Sequence, residues 1–567
     1  MGLFVLAVFA WLVLSFDPRL LALLSATPHL GGKLAIAAFV ACLNFFWLIA
    51  TYHAALALFT LISSIRRPLS LPWSGDGPSV AVLYTTMNDF QERAAESCVN
   101  QDYSPCHVYI LDDSQVPDAC AQVDDFASRH PGRVTVVRRS DRRGYKAGSL
   151  NHALSTVAIE APYFAVADAD SVLPPDFIRR LLPYFKGDPR VGWVQSSHRP
   201  HPQQKTAFAR DLGLGIIPLW TVYYGPKNRF GFVMFLGHGG VISREVWQRA
   251  GGFPEVVSED LCLSTRAAQL GYRGIYASDV ICFEDFPDGY RQLRRQQEKY
   301  VKGACQFFHR EWIPFLMSRR VGWHQKLDVF LSCASLFSPT VNLVFLATYC
   351  VLIPLFLGEW KVLTMQAAGW SYALNVLTPG DTLLTLWSRD FYWATLACTL
   401  APAIGSLSVA FAHPRRGTKM FLLSAVPYLS LMVVATGATL AYLVSRRAVF
   451  LVTGDTSGAA KGQWPRGFSP MSALRERIGA EDPGTQIVET GTGILLVVMC
   501  VATANVAPLG LALGMGLGPL LLRSRWDAPA IRPLLYLPFI LVCAGLALAG
   551  PAALAGQGAW MNAWFHF

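Results

Sequence analysis

The chain has 567 residues, 53% of them hydrophobic and 15% charged, with a formal net charge of +10. That is too apolar for a wholly soluble enzyme, and the length accommodates a soluble domain of roughly two to three hundred residues beside a membrane region. The positive charge lies along the borders of apolar runs rather than on one face, which argues against nucleic-acid binding; 12 cysteines without a Cys-x-x-Cys pair argue against a disulfide frame or a zinc site.

Residues 3–16 are apolar, with no basic start and no small-residue cleavage site, and are expected to form a retained first helix rather than a signal peptide. Crossing a bilayer takes about 20 apolar residues in a helix. Most of the runs 34–65, 330–358, 391–412, 420–445, 490–522 and 533–565, which lack Asp, Glu, Lys and Arg, are long enough. Arg66-Arg67, Arg319-Arg320, Arg415-Arg416, Lys419, Arg446-Arg447, Arg523 and Arg525 border these runs and mark cytoplasmic edges. Because basic residues flank 420–445 at both ends, that run is expected to lie in the cytoplasmic interface rather than to cross. The run 490–522 reads as one long helix or as two broken near Pro508-Leu509-Gly510. The resulting division is 1–67 for N-terminal membrane helices, 79–310 for a cytosolic catalytic domain and 311–449 for membrane and interfacial helices. A cytosolic loop at 450–489 and C-terminal membrane helices at 490–567 complete it.

Between the first two membrane segments and the rest, the pattern changes. Short β-type runs at 80–84, 108–111, 134–137, 163–166 and 191–194 alternate with helical stretches such as 90–100 and 148–157. Such alternation implies a mainly parallel sheet covered by helices on both faces, with ligands bound beyond the carboxyl ends of its strands. Asp112-Asp113 and Asp168 to Asp170 stand at two of those ends. Two carboxylates one residue apart, Asp168 and Asp170, suit a hard divalent cation that also takes diphosphate oxygens. In isolation Asp-x-Asp is common on surface loops, and the order of neighbouring motifs gives it weight.

That order is Leu111-Asp112-Asp113-Ser114, Ala167-Asp168-Ala169-Asp170, Ser258-Glu259-Asp260 and Gln296-Gln297-Glu298-Lys299-Tyr300, all in one soluble stretch. It resembles the processive family 2 glycosyltransferases, the cellulose synthase-like enzymes of the bacterial β-glucan synthase type. The resemblance implies an α/β glycosyltransferase A (GT-A) domain inserted in an α-helical multi-span transmembrane domain. It places Asp112 and Asp113 against the base and ribose of a nucleotide sugar. Thr86-Met87-Asn88-Asp89 stands where the family has Thr-Tyr-Asn-Glu, which adds Thr86, Asn88 and Asp89 to the donor site. Lys146, in Lys146-Ala147-Gly148-Ser149-Leu150-Asn151, becomes a counterion to the diphosphate. Asp168 faces the donor and, with Asp170, holds Mg2+ or Mn2+.

Ser258-Glu259-Asp260 resembles the family's Thr-Glu-Asp, which makes Asp260 the general base with Glu259 beside it; a carboxylate whose pKa is raised by neighbouring acids suits that task. Gly237-His238-Gly239-Gly240 gives the backbone freedom near the sugar, with His238 as a structural or acceptor contact. Gln296 to Tyr300, followed by Gly303 and Gln306, takes the place of Gln-x-x-Arg-Trp. Lys299 then keeps the charge toward the diphosphate without the bidentate fork, Tyr300 keeps a ring for stacking on sugar, and Gln296 and Gln297 join the acceptor side. The blander account is an amphipathic helix with a solvated face of Arg291, Arg294, Arg295 and Lys299. Phe450-Leu451-Val452-Thr453 resembles the start of the gating loop, Phe-x-Val-Thr-x-Lys, so Phe450, Val452 and Thr453 are expected over bound donor; Asp455 replaces the Lys.

The implied activity is that of a processive inverting transferase in the inner (plasma) membrane, with its catalytic domain cytosolic. It would polymerise a β-linked polysaccharide, a β-glucan, from a UDP-sugar, UDP-glucose, and translocate it. Its partners would be the growing polysaccharide, the lipid bilayer and cell-envelope export proteins, and Trp323, Trp370 and Trp387 would offer rings to the exit path. Two other classes stay open. A non-processive glycosyltransferase acting on a lipid-linked acceptor could share Asp112, Asp168 and Asp170, and a non-catalytic membrane protein could bind a nucleotide sugar without turning it over.

Overall fold

The computed structural model describes residues 1–63, 77–367, 370–379, 389–407, 431–446, 483–503 and 506–518, with a few isolated positions besides. Two helices open the chain, α1 (Gly2–Ala26) and α2 (Leu30–Ser63). α1 continues past Phe16 through Asp17-Pro18-Arg19 because the polar groups find partners: Asn44 of α2 donates to Asp17 at 2.9 Å, and Arg19 pairs with Asp390 at 3.0 Å.

The soluble part runs β1 (Val80–Thr86), α3 (Glu92–Val99), β2 (Cys106–Asp112), α4 (Pro117–Arg129), β3 (Val134–Val137), α5 (Tyr145–Thr156) and β4 (Tyr163–Asp168). β5 (Val191–Pro200), β6 (Gly240–Ser243), α6 (Glu259–Gln269), β7 (Arg273–Glu284) and α7 (Tyr290–Arg310) follow. The seven strands order as β3-β2-β1-β4-β6-β5-β7, with β6 antiparallel to both neighbours and the other pairs parallel. The five strand-like runs read from the sequence fall inside β1 to β5, while β6 and β7 are additions.

Alternation along the strands separates two apolar layers. Ala81, Leu83, Phe164 and Val166 pack with Leu150 of α5 and Leu263 of α6, whereas Val80, Val82, Tyr84 and Ala165 pack with Val123 and Phe126 of α4. A mainly parallel sheet is covered on both faces in this way. The register sets Thr86 beside Asp112 and Thr85 beside Asp168, so the polar ends of β1, β2 and β4 form one edge.

α1, α2, α8 (Trp323–Leu357) and α11 (Pro483–Ala502) are, among the described residues, long and apolar enough to cross a bilayer. After α8 comes a hairpin absent from the sequence reading, β8 (Gly358–Ala367) with β9 (Trp370–Pro379), and then α9 (Arg389–Leu400). Trp370 lies in β9, Trp323 opens α8 against Gly2, and Trp387 lies outside the described residues. α10 (Met432–Ser445) is the described end of the run 420–445; its Ala435, Ala438 and Tyr442 pack on Val301 and Cys305 of α7. α11 begins at Pro483, so the end of the expected 450–489 loop is helical. α11 ends at Ala502, and α12 (Val506–Gly516) begins at Val506, ahead of the expected break near Pro508. Pro508 therefore sits in the first turn of α12, where its missing N–H has no helical partner to lose. Phe450, Val452 and Thr453 lie outside the described residues.

Two buried polar joints connect the layers. The Lys227 ammonium donates to Tyr52 of α2 at 3.0 Å and to Asp328 and Ser332 of α8 at 2.9 and 3.0 Å, and the Tyr52 hydroxyl donates to Asp328 at 2.7 Å. Arg294 of α7, expected on a solvated face in the blander account, is fully buried and donates to Glu489 of α11 at 2.7 Å. Removing one partner of a buried pair strands the other charge, at roughly 3–5 kcal/mol. Arg294→Leu is therefore expected to lower stability by that amount in detergent unfolding, and Arg294→Leu with Glu489→Leu to recover most of it. A double variant as unstable as the single would show that the pair does not join α7 to α11.

Candidate active site

The turn after β1 is braced by its own polar side chains. Asn88 adopts φ +59°, a left-handed conformation that Asn tolerates better than most residues. Its side-chain oxygen accepts from the backbone N–H groups of Gln115 and Val116 at 2.9 and 3.0 Å, tying the β1 turn to the β2 turn. Asp89 accepts from the Thr86 hydroxyl at 3.0 Å and from Met87 N–H at 2.7 Å, and burial raises its pKa. Thr86, Asn88 and Asp89 thus stand at the expected strand end, engaged in shaping the turn.

Asp112 and Asp113 close β2, each against an arginine that the sequence reading did not single out. Arg138 Nε donates to Asp112 at 2.7 Å, and Arg139 grips Asp113 with Nε and a terminal nitrogen at 2.9 and 2.5 Å. Both arginines directly follow β3, the strand beside β2. That adjacency was the available signal, a basic pair one strand over from an acidic pair.

Lys146, in the first turn of α5, donates to Asp168 at the end of β4 and to the Gly237 carbonyl at 3.0 Å. Asp168 also accepts from the Thr85 hydroxyl at 3.0 Å. Burial alone would raise the Asp168 pKa, but Lys146 and His238 bring it below the usual carboxylate value; burial would lower the Lys146 pKa, and Asp168 and Glu259 carry it above the usual amine value. Asp170 is pushed up to about 7, chiefly by burial and further by Asp168, Glu284 and Asp285, with His238 opposing.

Asp260 stands in the first turn of α6, where its Oδ1 accepts from Leu261 N–H at 2.7 Å. Its other oxygen faces the loop that holds Lys146. A methyl group on Gly237 (φ +86°) would lie 3.2 Å from Asp260 Oδ2 and 3.6 Å from Lys146 Nζ, so carboxylate and ammonium border the same space. Burial raises the pKa of Asp260, and burial together with the Asp260 charge raises that of Glu259.

α7 reaches this space because two of its residues fit the entrance of α6. A side chain at Gly303 would collide with the Ser258 hydroxyl, and Gln306 accepts from Val257 N–H at 2.9 Å. Lys299 thereby comes within the field of Glu259, Asp168 and Asp260, and burial lowers its pKa. The Tyr300 ring is 44% exposed with the Lys299 ammonium 5.5 Å from its centroid, Gln297 is buried and Gln296 half-buried. Of the structural and acceptor contacts expected of His238, its surroundings favour the structural one. Its Nδ1 is 2.7 Å from the Ser171 hydroxyl and its Nε2 3.3 Å from Glu284, which leaves neither nitrogen for an acceptor. Lys146, Asp168, Glu259, Asp260 and Lys299 thus lie within one another's electrostatic reach, with Asp170 beside Asp168 and with the Thr86 to Asp89 turn and Asp112-Asp113 at the adjoining strand ends.

Asn88 provides a test of the braced turn. Asn88→Gly is expected to cost about 1–2 kcal/mol from its lost hydrogen bonds. Asn88→Ala should cost about 1–2 kcal/mol more, because alanine resists φ +59°. Equal losses in chemical unfolding would show that the left-handed backbone does not persist.

A family model described as glycosyl transferase family group 2 matches residues 163–445. The chain is 28% identical over 259 residues to a probable glucomannan 4-beta-mannosyltransferase 3 of Oryza sativa subsp. japonica, covering 44% of this chain and 46% of that one. It is 26% identical over 254 residues to glucomannan 4-beta-mannosyltransferase 2 of Arabidopsis thaliana, covering 44% and 48%. The chain thus spans about half the length of the curated relatives it matches. Among solved structures, a mannosyltransferase from Pyrobaculum calidifontis in complex with GDP-Man and Mn2+ superposes with a TM-score of 0.44 at 20% identity, over 72% of this chain and 99% of that one. The family match takes in β4, both acidic motifs downstream of β3 and the whole of α7, and over that stretch the chain is similar to the glycosyltransferases of family 2, on a GT-A-type sheet.

Proposed function

We propose that this protein is a membrane-embedded, processive, inverting hexosyltransferase that builds a β-linked polysaccharide from a nucleoside diphosphate sugar and passes it across the membrane. The observation that carries the reading is the convergence of Lys146, Asp168 and Asp260 on the space beside Gly237. Asp260 takes the proton from the acceptor hydroxyl as that oxygen bonds to the anomeric carbon, and the bond from that carbon to the diphosphate breaks on the opposite face. A raised pKa suits the proton transfer. Lys146 and Lys299 meet the negative charge that gathers on the leaving diphosphate.

The residues present fit a divalent cation. Asp168, Asp170, Glu284 and Asp285 concentrate carboxylates around one turn, where burial first and then their mutual repulsion raise the Asp170 pKa to about 7, and hard oxygen donors of this kind favour Mg2+ or Mn2+. Asp168 and Asp170 would hold the ion, which when bound offsets diphosphate charge.

Support for a polymer product comes from the half-exposed Tyr300 ring beside Lys299, a platform for the terminal sugar of a growing chain. Gln296 and Gln297 flank it on α7 as further acceptor-side groups. The four apolar helices favour a plasma-membrane location with the sheet on the cytosolic side, where nucleotide sugars are made. The motif order favours glucose from UDP-glucose; a mannosyl donor is the second reading, favoured by curated relatives that are glucomannan mannosyltransferases.

Purified protein in detergent, incubated with Mg2+ or Mn2+ and either radiolabelled UDP-glucose or GDP-mannose, is expected to form polymer that linkage-specific hydrolases digest. Asp260→Asn should reduce incorporation by about 10²–10⁴-fold. In the wild type kcat/KM should rise with pH through a value above the usual aspartate pKa, about 3.9, because the base must be deprotonated and its pKa is raised. Full activity in Asp260→Asn would end the assignment, and label confined to a lipid extract would establish the non-processive, lipid-linked acceptor instead.

A further inference from the structure

Behind the Asp168-Ala169-Asp170 turn lies a chain of buried side chains to which the reaction assigns no chemistry. Ser171 N–H donates to the Asp168 carbonyl at 2.9 Å, and the Ser171 hydroxyl oxygen accepts from Asp168 N–H at 3.3 Å. That hydroxyl meets His238 Nδ1 at 2.7 Å; His238 Nε2 and His198 Nδ1 both face one Glu284 oxygen, at 3.3 and 3.4 Å. His198 stacks on Trp220 with ring centroids 4.7 Å apart, and its Nε2 is 3.1 Å from Gln195 Nε2. Ser171, Gln195 and His198 are all buried.

The direction of every proton in this chain follows from one amide. Gln195 accepts from Leu236 N–H through its oxygen at 2.9 Å, and its nitrogen faces the carbonyls of His238 and Gly239 at 3.0 and 3.1 Å and His198 Nε2 at 3.1 Å, three acceptors that share its two hydrogens. It cannot flip without losing all three bonds. An amide nitrogen donates and does not accept, so His198 Nε2 is left without a proton, and the His198 proton sits on Nδ1 and points to Glu284. The carboxylate accepts from His238 Nε2–H as well, which in the neutral ring leaves His238 Nδ1 to accept the Ser171 hydroxyl proton. The His198, His238 and Glu284 ligand atoms lie within 4.8 Å of one another, and the two imidazoles and the carboxylate satisfy one another by hydrogen bonds.

The loop that carries His238 is anchored on the same strand end. Gly239 N–H donates to the Val166 carbonyl at 2.8 Å, the Gly237 carbonyl accepts from Lys146, and φ values of +86° and +62° at Gly237 and Gly239 allow the sharp path between them. We propose that His238 is a positioning residue: through Ser171 it fixes the Asp168-Ala169-Asp170 turn in the conformation that binds a divalent cation, with Glu284, His198 and Gln195 holding the ring in place. The role rests on the cation-binding reading given above for Asp168 and Asp170. Groups that orient metal ligands typically contribute ten- to hundred-fold to affinity.

The test titrates Mn2+ alone into the purified full chain in detergent and follows free Mn2+ by electron paramagnetic resonance. Ser171→Ala and His238→Gln, which each break the Ser171–His238 link, are expected to weaken binding about ten- to hundred-fold. Combining them should weaken it no further, because both remove one interaction. His238→Asn, whose side-chain oxygen can stand where Nδ1 stands, is expected to bind like the wild type. Wild-type affinity in Ser171→Ala and His238→Gln, or losses that multiply in the double variant, would overturn the proposal. Asp170→Asn separates the two layers of argument. If it abolishes binding while the Ser171 and His238 variants bind normally, the positioning role alone fails; if it leaves binding intact, the cation reading fails and the positioning role with it.

Discussion

Asp168, Glu259 and Asp260 crowd into one partly to fully buried cluster, and an unpaired carboxylate taken wholly out of water carries a solvation penalty of several kcal/mol. The Lys146 ammonium is the local answer to that penalty. It bonds Asp168 directly, lies across the Gly237 space from Asp260, and is held by the Gly237 carbonyl, so three separate chain segments converge on one cation. Two unit charges about 4 Å apart at an effective dielectric near 20 interact by about 4 kcal/mol, enough to hold Asp168 ionised in spite of its burial. The neighbouring Asp170 lacks this help, and its pKa stays raised. One acid is thus kept charged by the protein itself, and the other is left in a surplus of negative charge.

Helix α7 translates that electrostatic arrangement into architecture. Its Gly303 and Gln306 fit the entrance of α6, its Lys299 enters the field of the acids, and its ends bind the apolar helices. Arg294 reaches Glu489 of α11 and His309 reaches the Tyr442 hydroxyl of α10 at 3.0 Å, with roughly 22 Å of helix between the two anchors. A single rigid element therefore spans from the membrane part to the reacting groups, and the exposed Tyr300 ring rides on it.

Much of this was legible in the sequence, for identifiable reasons. The runs that became β1 to β5 are β-branched, aromatic and short, and their alternation feeds two apolar layers. β6 was hidden because its four residues abut a glycine-rich loop, and β7 because three residues, Ser278 to Val280, interrupt its pairing with β5 between Ala277 and Ile281. Side-chain partnerships were less accessible. Asp112 and Asp113 were visible as acids at a strand end, yet their arginines come from a different strand end and meet them only through sheet order. The buried Arg294 has the composition of a surface residue, and its partner lies 195 positions away. His238 was noticed for its glycine-rich setting, but the residues that determine its role, Ser171, Glu284, His198 and Gln195, belong to three other segments.

The Lys227 joint described with the fold has a bearing on where one protein unit ends and another begins. Its ammonium sits between the sheet's own loop and two apolar helices, α2 and α8, and Asp328 in turn accepts from Phe232 N–H at 2.8 Å. Cutting the chain at 63 to free a water-soluble fragment would remove Tyr52 and open this closed set of partners to solvent. The sheet and its lipid-side scaffold are in this respect a single cooperative body, and any shortened version would need a new residue at 227 before it could stand alone.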